Sequence, residues 1–280
     1  MNITKIINSG SDILRQKKIS SHLLDSELIL SKVLNVTREK LLTIDKQEIS
    51  ITQIADFNKL IERRKKNEPI AYIFKKKEFW SKDYFVNNET LIPRPETELL
   101  VEQIIKYFKN KKPFILDVGT GSGCILLSLL AEIKKSKGIG VDISKEAIEV
   151  ASKNAIGFGL KNRSKFYNRS FNKIFNQKFD LIVSNPPYIK SNEIQNLAED
   201  IRKFEPRIAL EGGNDGLDVI KKVIYKSKNI LKKKGMLALE IGYGQFKKIS
   251  PILKLQGFRD KFLIKDYRNN IRCILTVLDK

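Results

Sequence analysis

Over the first 75 residues apolar side chains recur three and four positions apart: Ile3, Ile6 and Ile7, then Leu23, Leu24, Leu28, Ile29, Val33 and Leu34, then Ile54, Phe57, Leu60 and Ile61. That period places them on one face of successive helices. Ser21 ahead of Asp25 and Thr37 ahead of Arg38–Leu42 mark helix starts, and Gly and Pro are nearly absent until Pro69. The pattern predicts a small helical bundle over residues 1–75. Glu78-Phe79-Trp80-Ser81-Lys82-Asp83-Tyr84-Phe85-Val86 then alternates aromatic and polar groups, with a turn signal at Asn87-Asn88. It predicts a β-hairpin linker over 76–94. Pro93-Arg94-Pro95 halts the strand. Pro95 suits the first position of a helix, Glu96 and Glu98 complement its positive end, and the helix should run to about Lys109.

From Pro113 the pattern becomes strand–helix alternation. Strands are expected at Phe114–Val118, Gly138–Ile143, Lys165–Asn168, Phe179–Ser184 and Met236–Ile241, with two late ones at Phe262–Lys265 and Cys273–Val277. Helices are expected at 123–134, 145–158, 216–232 and 245–256. Such alternation predicts an α/β fold with a doubly wound, mainly parallel sheet over 95–280. The last two strands, joined by the short Asp266–Ile271 loop, predict an antiparallel hairpin at one sheet edge. No internal repeat or low-complexity tract interrupts this order. One segment, Lys161–Asn176, is polar and basic yet carries Phe166, Tyr167, Phe171 and Phe175.

At 280 residues, 41% of them hydrophobic, the chain can fill one large or two ordinary cores. Its formal charge is +21, from 53 basic and 32 acidic residues. An anionic partner such as nucleic acid would account for that excess. So would an AT-rich coding bias, because 41 of the basic residues are Lys and only 12 are Arg, the residue favoured for reading phosphates and bases. Cys124 and Cys273 form neither a metal spacing nor a disulfide framework, which suggests a reducing, cytoplasmic setting. Residues 1–16 are too polar for a signal peptide, and no apolar run approaches the length of a membrane span. His22, the one histidine, falls in a predicted helix and reads as a surface or helix-packing residue. Chemistry that needs a His base or a His-ligated metal has little to work with.

Two motifs remain for chemistry. Asn185-Pro186-Pro187-Tyr188 follows the apolar run Phe179–Ser184, so it sits at the carboxyl end of a strand, where open α/β sheets bind ligands. Two prolines fix two φ angles and remove two N–H donors. The resulting stiff turn offers carbonyls that only accept; Asn185 adds a side-chain carbonyl and Tyr188 a flat face. This suits a planar amide or amine held by its two hydrogens, although a Pro-Pro turn that merely ends a strand would carry the same residues. The second motif is Asp117-Val118-Gly119-Thr120-Gly121-Ser122-Gly123, a glycine-rich turn between a strand and a helix. It lacks the Gly-Lys-Ser/Thr of a nucleotide P-loop, and Cys124 occupies the sixth position of a dinucleotide fingerprint. S-adenosyl-L-methionine fits better. The acidic Asp117 suits a cation, and Asp142, 25 residues on at the end of the next strand, can bond both ribose hydroxyls. Asp142 alone could equally serve the start of the following helix.

With both motifs in place the chain resembles the class I, Rossmann-like methyltransferases. More narrowly it resembles the PrmC (HemK) family, the protein-(glutamine-N5) methyltransferases of peptide chain release factors. Pro93-Arg94-Pro95-Glu96-Thr97-Glu98, Leu116–Gly123, Val141-Asp142, Val183–Tyr188, Phe204-Glu205-Pro206 with Ala209-Leu210, Asp215-Gly216-Leu217, and Asp266-Tyr267 near Arg272 carry the resemblance over essentially the whole chain. It implies that Asp117 and the loop Gly119, Thr120, Gly121, Ser122 and Gly123 line the cofactor and that Asp142 holds its ribose. Phe171 would flank the adenine, and Asn185, Pro186, Pro187 and Tyr188 would hold the substrate glutamine amide. Asn185 would also border the cofactor; Asn185, Pro186 and Tyr188 would be catalytic. Ser170 stands where the family commonly has an acidic residue, and Arg268-Asn269-Asn270 is more basic than usual.

The resemblance further implies a monomer that methylates the glutamine of the Gly-Gly-Gln loop in class I release factors, with the helical domain recognising the protein substrate. Neither a membrane nor direct nucleic-acid binding is required. An amide nitrogen is a poor nucleophile, its lone pair being delocalised into the carbonyl. Acceptors on its two N–H groups would raise its electron density and fix its approach. A nucleic-acid amino-methyltransferase acting on adenine N6 or guanine N2 would use the same turn, and an RNA-binding protein on a decayed scaffold is a further alternative.

Overall fold

The computed structural model describes residues 2–44, 47–171 and 177–279. The last five positions of the aromatic-bearing segment noted above, 172–176, lie outside the described residues. Contacts divide the chain into two units: Met1–Lys76 with Ala198–Phe204, and Lys77–Leu197 with Glu205–Lys280.

The first unit holds helices α1 (Ile3–Gln16), α2 (His22–Leu34), α3 (Arg38–Thr43), α4 (Ile51–Lys65) and α5 (Ile70–Phe74). The recurring apolar positions meet in one core, where Ile3, Ile6, Ile29, Phe57 and Ile61 are buried together. Thr37 caps α3 as expected, accepting from Lys40 N. Ser21 does not cap α2: its hydroxyl donates to Asp25 Oδ2 at 2.7 Å. Asp25 is nearly buried and also accepts from Arg64 Nε at 2.7 Å, so the serine completes a buried ion pair. His22 Nδ1 lies 2.8 Å from Ser11 Oγ and joins α2 to α1. The segment 198–204, helix α9 (Glu199–Phe204), returns to this unit; Asn67 Nδ2 donates to Glu199 Oε2 at 2.8 Å.

The second unit opens with β1 (Lys77–Phe79) and β2 (Lys82–Tyr84), paired antiparallel. The hairpin turns at Trp80 and Ser81, both with positive φ, rather than at Asn87-Asn88. Then come α6 (Pro95–Phe108), β3 (Phe114–Val118), α7 (Cys124–Glu132), β4 (Lys137–Asp142), α8 (Lys145–Gly157), β5 (Ser164–Asn168) and β6 (Phe179–Ser184). After α9 follow α10 (Asp218–Ile230), β7 (Leu231–Glu240), α11 (Phe246–Leu255), β8 (Phe258–Lys265) and β9 (Ile271–Leu278). The strands form one sheet in the order β5-β4-β3-β6-β7-β9-β8. Neighbours from β5 through β7 pair in parallel, and β9 pairs antiparallel with both β7 and β8. Strand order reverses between β3 and β6, which makes their carboxyl ends the switch point.

Both sheet faces are covered, so the strands are apolar on both sides. Leu116, Ile182 and Leu237 face α10 and α11, through Ile220, Ile224, Ile249 and Leu253. Ile115, Leu181 and Ala238 face α6 and α7, through Leu100, Ile104, Leu126 and Leu130. The hairpin is part of this second face, since Phe79 and Tyr84 are buried in it. Tyr84 Oη lies 2.8 Å from Ser128 Oγ.

Asn154 of α8, also buried, joins the chain after the hairpin to the glycine loop. Its Oδ1 accepts from Phe85 N at 2.8 Å, and its Nδ2 donates to Phe85 O at 3.0 Å and to Ser122 O at 2.8 Å. Asn154→Ala strands these three backbone groups. It is expected to destabilise the second unit by roughly 3 kcal/mol. Urea unfolding followed by the fluorescence of Trp80, the one tryptophan, reports on this unit alone. An unchanged midpoint would show that water replaces the side chain at no cost.

Candidate functional site

At the carboxyl ends of β3 and β4 the chain leaves a cleft of about 330 Å³. That is within the span of cofactor pockets, roughly 300–1,000 Å³. Gly119 N and Thr120 N both donate to Val141 O, at 2.9 and 3.0 Å, which ties the glycine loop to the end of β4. Gly119 and Gly121 have φ of +71° and +53°, and a Cβ on either would meet nothing within 4 Å. Glycine is required there by backbone conformation, and the space beside the loop is left open. Asp142 lines the cleft beside them. Its Oδ2 accepts from Gly121 N at 2.9 Å and its Oδ1 from Ser144 N at 3.0 Å. One lone pair on each oxygen remains for a ligand. Burial raises its pKa despite these donors.

Gly119, Thr120, Gly121, Ser122, Asp142 and Phe171 line the cleft together, with Ser170 next to the aromatic ring. Two positions expected there do not. Gly123 turns away from it: an added Cβ would press on Leu127 and Ala151, so this glycine lets α7 pack against α8. Asp117 is fully buried beneath the loop, where Thr120 Oγ1 donates to its Oδ2 at 2.7 Å. Its Oδ1 has no hydrogen-bond partner among the described residues, and burial pushes its pKa up to about 7. Cys124 also borders the cleft, but burial pushes its thiol up to about 12, leaving it uncharged at neutral pH.

The second half of the site follows from strand register. Ser184 of β6 pairs with Val118 of β3, and Ser184 Oγ donates to Val118 O at 2.7 Å. Adjacent strands lie about 4.8 Å apart. The Asn185-Pro186-Pro187-Tyr188 turn therefore starts beside the glycine loop, and Asn185 and Pro187 line the same cleft. Pro186 is buried and does not line it. Tyr188 is half-buried and also outside the lining; its Oη accepts from Arg272 Nη2 at 3.2 Å, and its carbonyl accepts from Gln245 Nε2 at 3.0 Å. Gln245 Nε2 also donates to Gly216 O. A Cβ on Gly212 would lie 2.7 Å from Pro187 O, so only glycine allows this close approach.

Thr97, Glu205 and Arg272 stand in the stretches that carry the resemblance without a role, and Glu240 stands outside them. Asn185 Nδ2 donates to Thr97 Oγ1 at 3.3 Å, and Thr97 Oγ1 donates to Glu240 Oε2 at 2.6 Å. Glu240 ends β7 fully buried, with Arg272 Nη2 3.9 Å from its Oε1, and burial raises its pKa. Glu205 pairs with Arg94 and accepts from Ile92 N at 3.2 Å, which holds the segment ahead of α6. The available signal was a carboxylate ending an otherwise apolar strand, Met236–Ile241. Its partner Thr97 is 143 positions away, beyond any local pattern.

Residues 5–74 match the PrmC N-terminal domain, and residues 109–240 match a methyltransferase domain. The chain is 37% identical to the release factor glutamine methyltransferase of Caulobacter vibrioides, over 99% of this chain and 96% of that protein. It is also 37% identical to the enzyme of the same name from Clostridium acetobutylicum, over 99% of both chains. Among solved structures, a methyltransferase from Pyrococcus furiosus shares the fold, with a TM-score of 0.51 and 20% identity over 70% of this chain and 88% of that one. Identity of 37% over nearly the whole length of two such enzymes shows the family: the chain belongs to the release factor glutamine methyltransferase family.

Proposed function

We propose that this protein transfers a methyl group from S-adenosyl-L-methionine to the side-chain N5 of the glutamine in the Gly-Gly-Gln motif of class I peptide chain release factors. The observation that carries this reading is the adjacency of the glycine loop and the acceptor turn on neighbouring strand ends, within one cleft. The cofactor fits what surrounds it: two glycines opening onto free space and a strand-end carboxylate with spare lone pairs. When bound, S-adenosyl-L-methionine supplies an electrophilic methyl group.

The chain's own residues then have defined tasks. Asp142 holds the ribose, and Gly119, Thr120, Gly121 and Ser122 border the cofactor. Phe171 provides an apolar face for its adenine. Asn185 Oδ1 accepts one N–H of the substrate amide, and the carbonyl of the stiff Pro186-Pro187 turn accepts the other. Bonded in this way, the amide nitrogen gains electron density and a fixed direction of attack. So held, it would be placed to take the methyl group and afterwards lose a proton to solvent, so no strong base is needed. The helical unit would recognise the release factor and bring its loop to the cleft, since a single side chain supplies little binding free energy of its own. The reading includes a monomeric enzyme, and a release factor as substrate fits a cytoplasmic one.

Labelled cofactor incubated separately with release factor, tRNA, rRNA and DNA tests the assignment, followed by a mass spectrum of the release factor. One added methyl on the loop glutamine is expected, and label entering only nucleic acid would overturn it. In the same assay Asn185→Ala should lower turnover by about 100-fold or more while cofactor affinity holds. Asp142→Ala is expected to weaken cofactor binding at least about 10-fold in calorimetry, because it removes charge-assisted hydrogen bonds; unchanged affinity would remove Asp142 from the ribose site.

Asp117 also gives the ligand-free protein a pH signature. Its folded pKa is raised from 3.8 to about 7, so in that window the native state keeps a proton that the unfolded chain has lost. The stability contribution is complete below pH 3.8 and is lost as pH rises through about 7. Asp142 and Glu240, both raised, act in the same direction. Asp117→Asn should flatten this decline by roughly 2–3 kcal/mol between pH 5 and pH 8, measured by urea unfolding at those two values. Parallel curves for variant and wild type would show that Asp117 is ionised throughout.

A further inference from the structure

We propose that Thr97 and Glu240 are positioning residues that lock the Asn185 carboxamide with its oxygen toward the substrate amide. The inference rests on the activity assigned above and adds a device that the acceptor turn does not itself contain. A carboxamide has two nearly isosteric ends, one accepting and one donating, and rotation by half a turn exchanges them. An acceptor role for Asn185 therefore requires something to choose between the two orientations.

Hydrogen-bond polarity makes that choice. Glu240 is a carboxylate and can only accept. Thr97 Oγ1, 2.6 Å from Glu240 Oε2, must spend its single hydrogen there. It then has only lone pairs to offer Asn185, so the end of Asn185 that faces it at 3.3 Å has to be the NH2 group. Asn185 Oδ1 is left for the cleft, which Asn185 lines. The start of the chain is held by a countercharge: Glu240 and Thr97 are both buried, burial raises the Glu240 pKa, and the Arg272 guanidinium, 3.9 Å from Glu240 Oε1, opposes that shift in favour of the accepting, ionised form. Were the polarity reversed, an N–H would face the N–H of the substrate amide.

The test is steady-state methylation of a release factor by the full-length protein, with cofactor affinity measured separately by calorimetry. Thr97→Val keeps size and β-branching but removes the hydroxyl. It is expected to lower kcat about 10- to 100-fold, with KM for the release factor and cofactor affinity changed by no more than about two-fold. Thr97→Ser restores the hydroxyl and should recover kcat to within a few-fold of wild type. A merely structural role for Thr97 would not give this split or this rescue. Normal kcat in Thr97→Val, a serine variant as impaired as the valine one, or a parallel loss of cofactor affinity would overturn the proposal. If Thr97→Val does not fold, as judged by circular dichroism, Glu240→Gln decides. Arg272 would attract the new carbonyl and leave an NH2 facing Thr97, so the same loss of kcat is expected and wild-type kcat overturns the idea. Failure of wild-type enzyme to methylate any release factor would instead sink the parent assignment.

Discussion

The pairing of Val118 with Ser184 is the constraint on which the site depends. The glycine loop and the Asn-Pro-Pro-Tyr turn, 66 positions apart in sequence, emerge from neighbouring strands at the same height, and the Ser184 hydroxyl ties the two strand ends together. A shift of β6 by one residue would reverse which side chains face each helix layer. Leu181 and Val183 would then exchange faces with Ile182, and the core would lose its fit on both sides of the sheet. Apolar packing thus holds the chemical geometry: the register that buries the core is the one that sets the acceptor turn beside the glycine loop.

Around that register a few buried polar side chains hold the loops. Asn154 bonds both the backbone after the hairpin and the glycine loop, Glu205 bonds the segment ahead of α6, and Gln245 bonds Tyr188 and Gly216. Each satisfies backbone groups that have no strand or helix partner, and in a dry interior such bonds are costly to lose. The exposed ion pairs contribute differently. Pairs such as Lys106–Glu102 and Arg15–Asp12 lie in solvent, where the median contribution is about 0–1 kcal/mol. The charge excess therefore has little bearing on how the cleft is built.

Much of this architecture was legible because it is local. Short apolar runs bounded by Gly, Pro or polar residues located most of the parallel strands, and the late pair was placed correctly as an antiparallel hairpin at the sheet edge. The glycine loop and the Asn-Pro-Pro-Tyr turn could be placed at strand ends for the same reason. Residues 189–215 gave no readable element, since they form short 3-10 turns and the six-residue α9, too brief to show a period. Ser21 looked like a helix cap because a cap and a partner for a buried carboxylate use the same residue type. Gly123 reads with the cofactor loop, and the fold adds a packing demand there, the close approach of α7 to α8, that leaves the same letter in the sequence as an open turn. Thr97, Glu240 and Arg272 come from three distant elements, and only the folded sheet brings them to Asn185 and Tyr188.

The position of β9 has a consequence for assembly. It is made after β8 yet lies between β8 and β7, so the edge strand cannot join the sheet until its successor has inserted. Everything upstream of β8 can reach its neighbours earlier in synthesis. The insertion also delivers Arg272, whose cation faces Glu240 and whose side chain bonds Tyr188. Until then the end of β7 carries a carboxylate without a countercharge. The Arg272 contacts at the end of β7 and the last strand pairing of the sheet thus form in one terminal event, after the cleft between β3 and β4 can already exist.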